Sequence, residues 1–152
     1  MNQPAPPFSH ATITSDAYRL LVENCSLSLP NEACGILASD AASPASPSKH
    51  TVTAIYPIQN RSSSPRSRFD FEPAAWIEAC YSMQKNRQSL VGYFHSHPSS
   101  LPLPSPSDLR GLHASSTTYW IVSLLQPNSP IIQPYWVEGG TFTPLMLTQI
   151  SV

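Results

Sequence analysis

Residues 93–109 read YFHSHPSSLPLPSPSDL, and they set two of the chain's five histidines one residue apart. In an extended strand, residues i and i+2 project from the same face, about 6.5–7 Å apart by the strand rise. His95 and His97 can therefore turn their imidazoles toward one ion, at the zinc–nitrogen distance of about 2.0–2.1 Å. Ser96 points to the opposite face, and Pro98, which cannot donate to a ladder, ends the strand. A histidine pair on a strand is also a common piece of hydrogen-bonded structure, so the pair alone leaves both readings open.

Ser105, Pro106 and Asp108 have two readings as well. They form a helix start, with Ser105 as N-cap, Pro106 at the first helical position and Asp108 in the first turn. The same start could swing Asp108 back toward the strand end and complete a His₂Asp set. Three protein ligands leave the fourth tetrahedral position open, which is the catalytic rather than the structural arrangement of zinc. Such a site needs a base to take a proton from water. Glu32, in LPNEACGIL, is a candidate, because it is a lone carboxylate opening an otherwise apolar strand. Its plainer alternative is a solvated strand-end acid.

These residues need elements to hold them. Tyr18, Leu21, Val22 and Cys25 recur at helical spacing behind a Thr/Ser cap and predict a first helix over 14–25. EACGILAS (32–39) and HTVTAIYPIQN (50–60) are strand-like runs joined by a Ser/Pro-rich loop, as in a hairpin. FEPAAWIEACYSMQKNRQ predicts a second helix, with Pro73 in its first position and Trp76, Ile77, Cys80, Tyr81 and Gln84 along one side. SLVGYFHSH (89–97) is the strand carrying the histidines, and its Gly92 signals a close backbone approach. A short third helix over 105–116 precedes three strands, TTYWIVSLL, IIQPYWVEG and TFTPLMLTQI, the last two joined at the turn signal Gly139-Gly140. This order predicts an α/β (α+β) protein, a mixed β-sheet flanked by helices. Residues 1–9 read as a flexible tail and 10–152 as a single domain.

Composition excludes several function classes. Of 152 residues, 41% are apolar and 11% charged, so the chain is globular. A net charge of −1 with eight Lys and Arg argues against a nucleic-acid surface. The small cluster Arg61, Arg66 and Arg68 lies in a Ser/Pro-rich loop and reads as solvated. No run approaches the roughly 18 apolar residues of a membrane span, and the N-terminus lacks a signal-peptide pattern. Cys25, Cys34 and Cys80 are odd in number and form no CxxC pair, which suits reduced thiols in a cytoplasmic protein.

NEACGIL, GYFHSHP and PSPSDL together resemble the JAMM motif of the JAB/MPN metalloproteases. That motif has an upstream glutamate, His-Ser-His-Pro, seven residues between the second histidine and a serine (here Pro98 to Pro104), and an aspartate three beyond the serine. The likeness extends to YPIQN, RFDFEP and YWIVSLL…IQPYWVEGGTF, so it covers nearly the whole chain and suits the short prokaryotic branch. It implies a JAB/MPN (cytidine-deaminase-like) fold and one zinc per chain on His95, His97 and Asp108. Glu32 would be the general base, and Ser105 would hydrogen-bond the developing oxyanion or the zinc's water. The implied activity is a metallopeptidase hydrolysing a peptide or isopeptide bond after the C-terminal Gly-Gly of a ubiquitin-like sulfur-carrier protein or its adduct. A deubiquitinase-like isopeptidase, a non-catalytic MPN scaffold and a RadC-like DNA-repair protein are the alternatives. A scaffold usually loses ligands, and a DNA role calls for a basic face; neither fits this chain. No nucleic-acid or membrane partner is expected, and a homodimer is left open. Cys34, two residues from Glu32, reads as a packed thiol that could reach the metal, and His113 as a surface residue.

Overall fold

A computed structural model describes residues 5–40, 50–110 and 116–151 of the chain. In order, the elements are β1 (His10–Thr14), α1 (Ser15–Leu27), β2 (Cys34–Ser39), β3 (Ala54–Ile58), α2 (Pro73–Lys85), β4 (Ser89–His97), α3 (Pro106–Arg110), β5 (Thr117–Ser123), β6 (Ile131–Glu138), β7 (Thr141–Pro144) and β8 (Met146–Ile150). Six strands form one mixed sheet in the order β3-β2-β4-β5-β6-β7. Only β4 and β5 in it run parallel; the other neighbours are antiparallel. The expected α+β architecture, a mixed sheet flanked by helices, is the one observed.

The strand carrying the histidines lies inside this sheet, between β2 and β5. Its alternation sorts two layers of core. Leu37 and Phe94 join one apolar cluster with Ala17, Leu21 and Cys25 of α1, and with Trp120 and Val122. Ile36 joins a second cluster with Ile58, Ala79 and Tyr93, under α2. Because successive strand residues face opposite ways, these clusters lie on opposite faces. His95 and His97 share the face of Tyr93, and Ser96 that of Phe94. At Gly92 the backbones of β4 and β5 come so close that a Cβ would collide with Thr118, the close approach its position predicts.

One expectation needs correction, and two features lie outside the sequence reading. The run TFTPLMLTQI is not one strand: β7 pairs with β6, while β8 leaves the sheet and pairs in parallel with β1. β1 itself escapes the sequence reading, because its partner lies more than a hundred residues away. On α2, Trp76, Ile77 and Tyr81 do not form the buried side. They are 43%, 58% and 69% exposed, whereas Ala79 is buried with Ala75, Cys80 and Met83 against it. The small alanine face lets the helix sit close to the sheet, and the bulky residues turn outward.

Local signals do better. Thr14 caps α1 by accepting from the Ala17 N–H at 3.2 Å, and Pro73 opens α2 behind a Glu72 cap. Gly139 and Gly140, at φ of +60° and +76°, make the β6–β7 turn. The third helix is described only as Pro106–Arg110; the rest of its expected span, with His113, lies outside the described residues, as does most of the Ser/Pro loop. Among the described residues, no helix is long and apolar enough to cross a membrane.

Candidate metal centre

The end of β4 delivers the histidines. His95 and His97 are 0% and 4% exposed, with their Nε2 atoms 3.1 Å apart. Asp108 reaches both from the first turn of α3: Oδ1 lies 3.1 Å from His95 Nε2, and Oδ2 3.1 Å from His97 Nε2. One ligand atom from each residue falls within 4.8 Å of the others, so the three side chains sequence reasoning grouped do converge.

Asp108 is aimed by the helix start. The Asp108 N–H donates to Ser105 Oγ at 3.0 Å, and the Ser105 N–H donates back to Asp108 Oδ2 at 2.8 Å. This is a reciprocal capping box with aspartate in the third position. The cap and the site readings of Ser105 and Asp108 therefore coexist, because the cap orients the carboxylate. The Ser105 hydroxyl accepts in this box and keeps its own proton to give.

Between His97 and Ser105 the chain is rich in proline, which supplies a carbonyl but no N–H. Three successive carbonyls are met by side-chain donors. Ser123 Oγ donates to the Ser100 carbonyl at 2.6 Å, His97 Nδ1 lies 2.8 Å from the Leu101 carbonyl, and the Tyr135 hydroxyl donates to the Pro102 carbonyl. The middle bond matters for chemistry. When His97 is neutral, a proton on Nδ1, given to Leu101, leaves a lone pair on Nε2, the tautomer a metal ligand needs; when the ring is protonated, Nε2 donates to Asp108 instead. That lone pair faces a second imidazole nitrogen and a carboxylate. Such a donor set fits a divalent cation with nitrogen and oxygen preferences, such as zinc.

The register of the sheet brings Glu32 to the same place. Cys34 pairs with His95 in the antiparallel β2–β4 ladder. One step on, the Ser96 N–H donates to the Ala33 carbonyl at 2.9 Å, and the Ala33 N–H donates to Ser96 Oγ at 2.8 Å. The next pair in that register is Glu32 with His97, on one face. Glu32 is 5% exposed, and its Oε1 has no hydrogen-bond partner within the protein. It is not the solvated strand-end acid of the alternative reading. It also lines an open cleft of about 330 Å³ with Asn31, Cys34, Ile58 and Asn60.

The two carboxylates titrate in opposite senses. Burial pushes Glu32 up to about 7, with the His97 charge opposing and the Asp108 charge reinforcing the rise. Burial also works against the Asp108 charge. There the hydrogen bonds from His95 and His97, the His95 charge and the Ser105 amide outweigh it, and hold the carboxyl well below its usual range. Burial lowers His95, while His97 is raised because its bonds to Asp108 and Leu101 overcome burial.

Cys34 shares the face of His95, but its thiol donates to the Ile58 carbonyl at 3.3 Å, and burial pushes it up to about 12. It is a packed thiol and not a member of the ligand cluster. Arg61, Arg66 and Arg68 are exposed, and Arg61 pairs with Asp70 at 3.1 Å.

Sequence reasoning assigned no role to Asn60 and Phe69. Phe69 stacks on His95, with ring centroids 4.8 Å apart and planes 25° from parallel. Asn60 binds several backbone groups of the loop that carries it, and the Glu32 carbonyl. An asparagine closing a strand before a Ser/Pro loop is a turn-forming signal, and an aromatic in a polar loop asks for a partner. Neither signal says which partner.

The family described as prokaryotic homologs of the JAB domain matches residues 14–136. This chain belongs to that family. A desampylase from Haloferax volcanii is 34% identical over 79 residues, 52% of this chain and 52% of that protein. A probable TtuB-protein conjugate cleaving protease from Thermus thermophilus is 31% identical over 62 residues, 41% of this chain and 42% of that protein. The JAB chain thus matches about half the length of these relatives. The solution structure of protein DSY2949 from Desulfitobacterium hafniense is similar over 93% of both chains, at 28% identity and a TM-score of 0.81. A JAB1/MPN domain protein from Archaeoglobus fulgidus shares the JAB fold at 18% identity and a TM-score of 0.54, covering 93% of this chain and 99% of that one.

Proposed function

We propose that this JAB-family chain is a zinc metallopeptidase that hydrolyses the bond after the C-terminal Gly-Gly of a ubiquitin-like sulfur-carrier protein or its adduct. The observation that supports the reading is a buried carboxylate, Glu32, whose Oε1 has no hydrogen-bond partner within the protein, opposite His97 of the His95, His97 and Asp108 cluster. Zinc in a His₂Asp set supplies Lewis acidity toward water and a scissile carbonyl. Glu32 Oε1 accepts the proton of the attacking water and passes it to the leaving amine, a role suited to a carboxyl held near neutrality. The Ser105 hydroxyl donates to the oxygen on which charge develops. Asp108 stays ionised and would hold the cation with the two imidazoles.

A relative whose name describes a TtuB-protein conjugate cleaving protease supports a protein conjugate as the substrate class. A Gly-Gly tail suits a narrow approach, since glycine lets a backbone pass where side chains would clash. A scaffold would have no use for a buried base without a partner. The test is a pair of measurements on one preparation. Elemental analysis should give about one zinc per chain. The protein should cleave a carrier conjugate joined through Gly-Gly far faster than a control carrying Val-Val. Equal cleavage of the two removes the Gly-Gly reading, and a metal-free, inactive preparation that zinc does not restore removes the peptidase reading.

A further inference from the structure

The geometry points to Phe69 as the positioning residue for His95, held in place by Asn60, which ties the same loop to Glu32. The inference rests on the zinc-peptidase reading above and adds the part that orients its first ligand.

Metal-bound histidines are usually oriented by a hydrogen bond at the second ring nitrogen. His97 has this support from the Leu101 carbonyl. His95 does not: its Nδ1 is buried and has no partner within the protein. The second side-chain torsion of histidine is broad and nearly two-fold, so nothing intrinsic stops the ring from turning. What restrains it is aromatic contact on two sides. Phe69 lies face to face with it at 4.8 Å, and Tyr119 meets it edge-on at 5.7 Å and 70°. A flat ring held against one face leaves the imidazole one plane, and in that plane Nε2 points at Asp108 and His97.

Tyr119 belongs to β5 and is fixed by the sheet. Phe69 belongs to a loop, so its own position needs an explanation. The Asn60 side chain provides it. Its Nδ2 donates to the Arg68 carbonyl at 3.0 Å, and its Oδ1 accepts from the Asp70 N–H at 3.0 Å. These are the two neighbours of Phe69 in the chain. The same Nδ2 donates to the Glu32 carbonyl at 3.1 Å. The Glu32 N–H donates to the Pro65 carbonyl of this loop at 2.7 Å. Both backbone groups of the proposed base are therefore bound by Asn60 or by the loop that presses Phe69 onto the proposed ligand. One amide side chain sets the base and the ligand in a common frame.

The test uses the full chain. Zinc affinity is read by chelator competition, and ligand geometry by the visible spectrum of the cobalt(II) form. Phe69→Ala should weaken zinc about 10–100-fold, the usual cost of removing an outer support, and should shift the cobalt bands. Phe69→Tyr, which keeps the ring, should restore both. Phe69→Leu keeps the bulk without the flat face and should still shift the bands, which covers the case of an alanine variant that fails to fold. Asn60→Asp, which cannot donate, should shift the cobalt bands and lower kcat together. Wild-type zinc affinity and an unchanged cobalt spectrum in Phe69→Leu and Asn60→Asp overturn the inference and leave the peptidase reading standing. A wild-type chain that binds neither metal overturns both.

Discussion

The two sides of the site treat a carboxylate in opposite ways. On the α3 side, Asp108 is surrounded by donors: two imidazoles and the Ser105 amide. On the β2 side, the backbone of Glu32 is fully engaged while its Oε1 meets nothing. The first environment keeps a charge permanently; the second leaves a carboxyl that can gain and lose a proton near neutral pH. A ligand must stay ionised, whereas a base must return its proton. Environments that drive two acids apart in this way suit the two roles proposed for them. Side-chain type alone does not, since both are simple carboxylates.

Breaking the permanent-charge side should have the largest effect. Asp108→Ala removes the one anionic member of the proposed ligand set and leaves two imidazoles, so zinc content should fall to background and hydrolysis with it. Elemental analysis and turnover on the same sample check this; full zinc in the variant would detach Asp108 from the metal.

The switchable side should fail differently. Glu32→Gln keeps size and leaves the ligands untouched, so zinc should remain while hydrolysis drops about 10²–10⁴-fold, the range for general acid–base catalysis. Stability should move the other way, and its pH dependence gives the sign. Below pH 4.5, the ordinary value for a glutamate, the side chain is protonated in folded and unfolded chains alike and costs nothing. As pH rises, the unfolded chain ionises first, and stability falls until Glu32 itself ionises at about 7. Above that the penalty is complete, at ~3 kcal/mol for such a displacement. Metal-free Glu32→Gln should therefore melt several degrees above wild type at pH 8 and level with it at pH 4. Equal melting at both would mean that Glu32 is not strained by burial.

Ser105→Ala sharpens the contrast least. It removes the hydroxyl that holds the Asp108 amide, at about 1 kcal/mol of stability, and one proposed oxyanion donor, at about 10²–10³-fold in kcat. Thermal melts and rates both report it. A melting shift without a rate change leaves only the capping role.

What the sequence made legible was local. The strand at 89–97, the cap at Ser105 and the turn at Gly139-Gly140 each follow from neighbours within a few residues, and each appears where its residues predict. Asp108 was legible for the same reason, since its cap aims it. What required three dimensions was register. Nothing in NEACGIL says that Cys34 will lie opposite His95, yet that pairing carries Glu32 to His97. β1 and the break at Leu145 were lost because their pairing partners are remote in the chain. The buried side of α2 was not legible because helical spacing marks a face without saying which face is buried. Here the exposed Trp76 and Tyr81 outweighed the alanines in any hydrophobic count. Phe69 and Asn60 stayed silent because an aromatic and an amide in a loop carry no spacing rule.

The carbonyls of Ser100, Leu101 and Pro102 have a consequence beyond holding a loop. A segment poor in N–H groups makes few bonds of its own, one of them from the Leu103 N–H to the Leu101 carbonyl, so its shape depends largely on the β5 serine, the β6 tyrosine and His97. The connection between two metal-ligand candidates is thereby ordered by the fold rather than by the ion. Prolines also thin the ensemble available to the unfolded connection, so less entropy is lost when it closes. Metal capture then requires little further ordering of the chain, and affinity becomes a property of the donor atoms themselves. On this account the proline-rich spacer is a rigid gauge: it sets the distance between the candidate ligands independently of any ion.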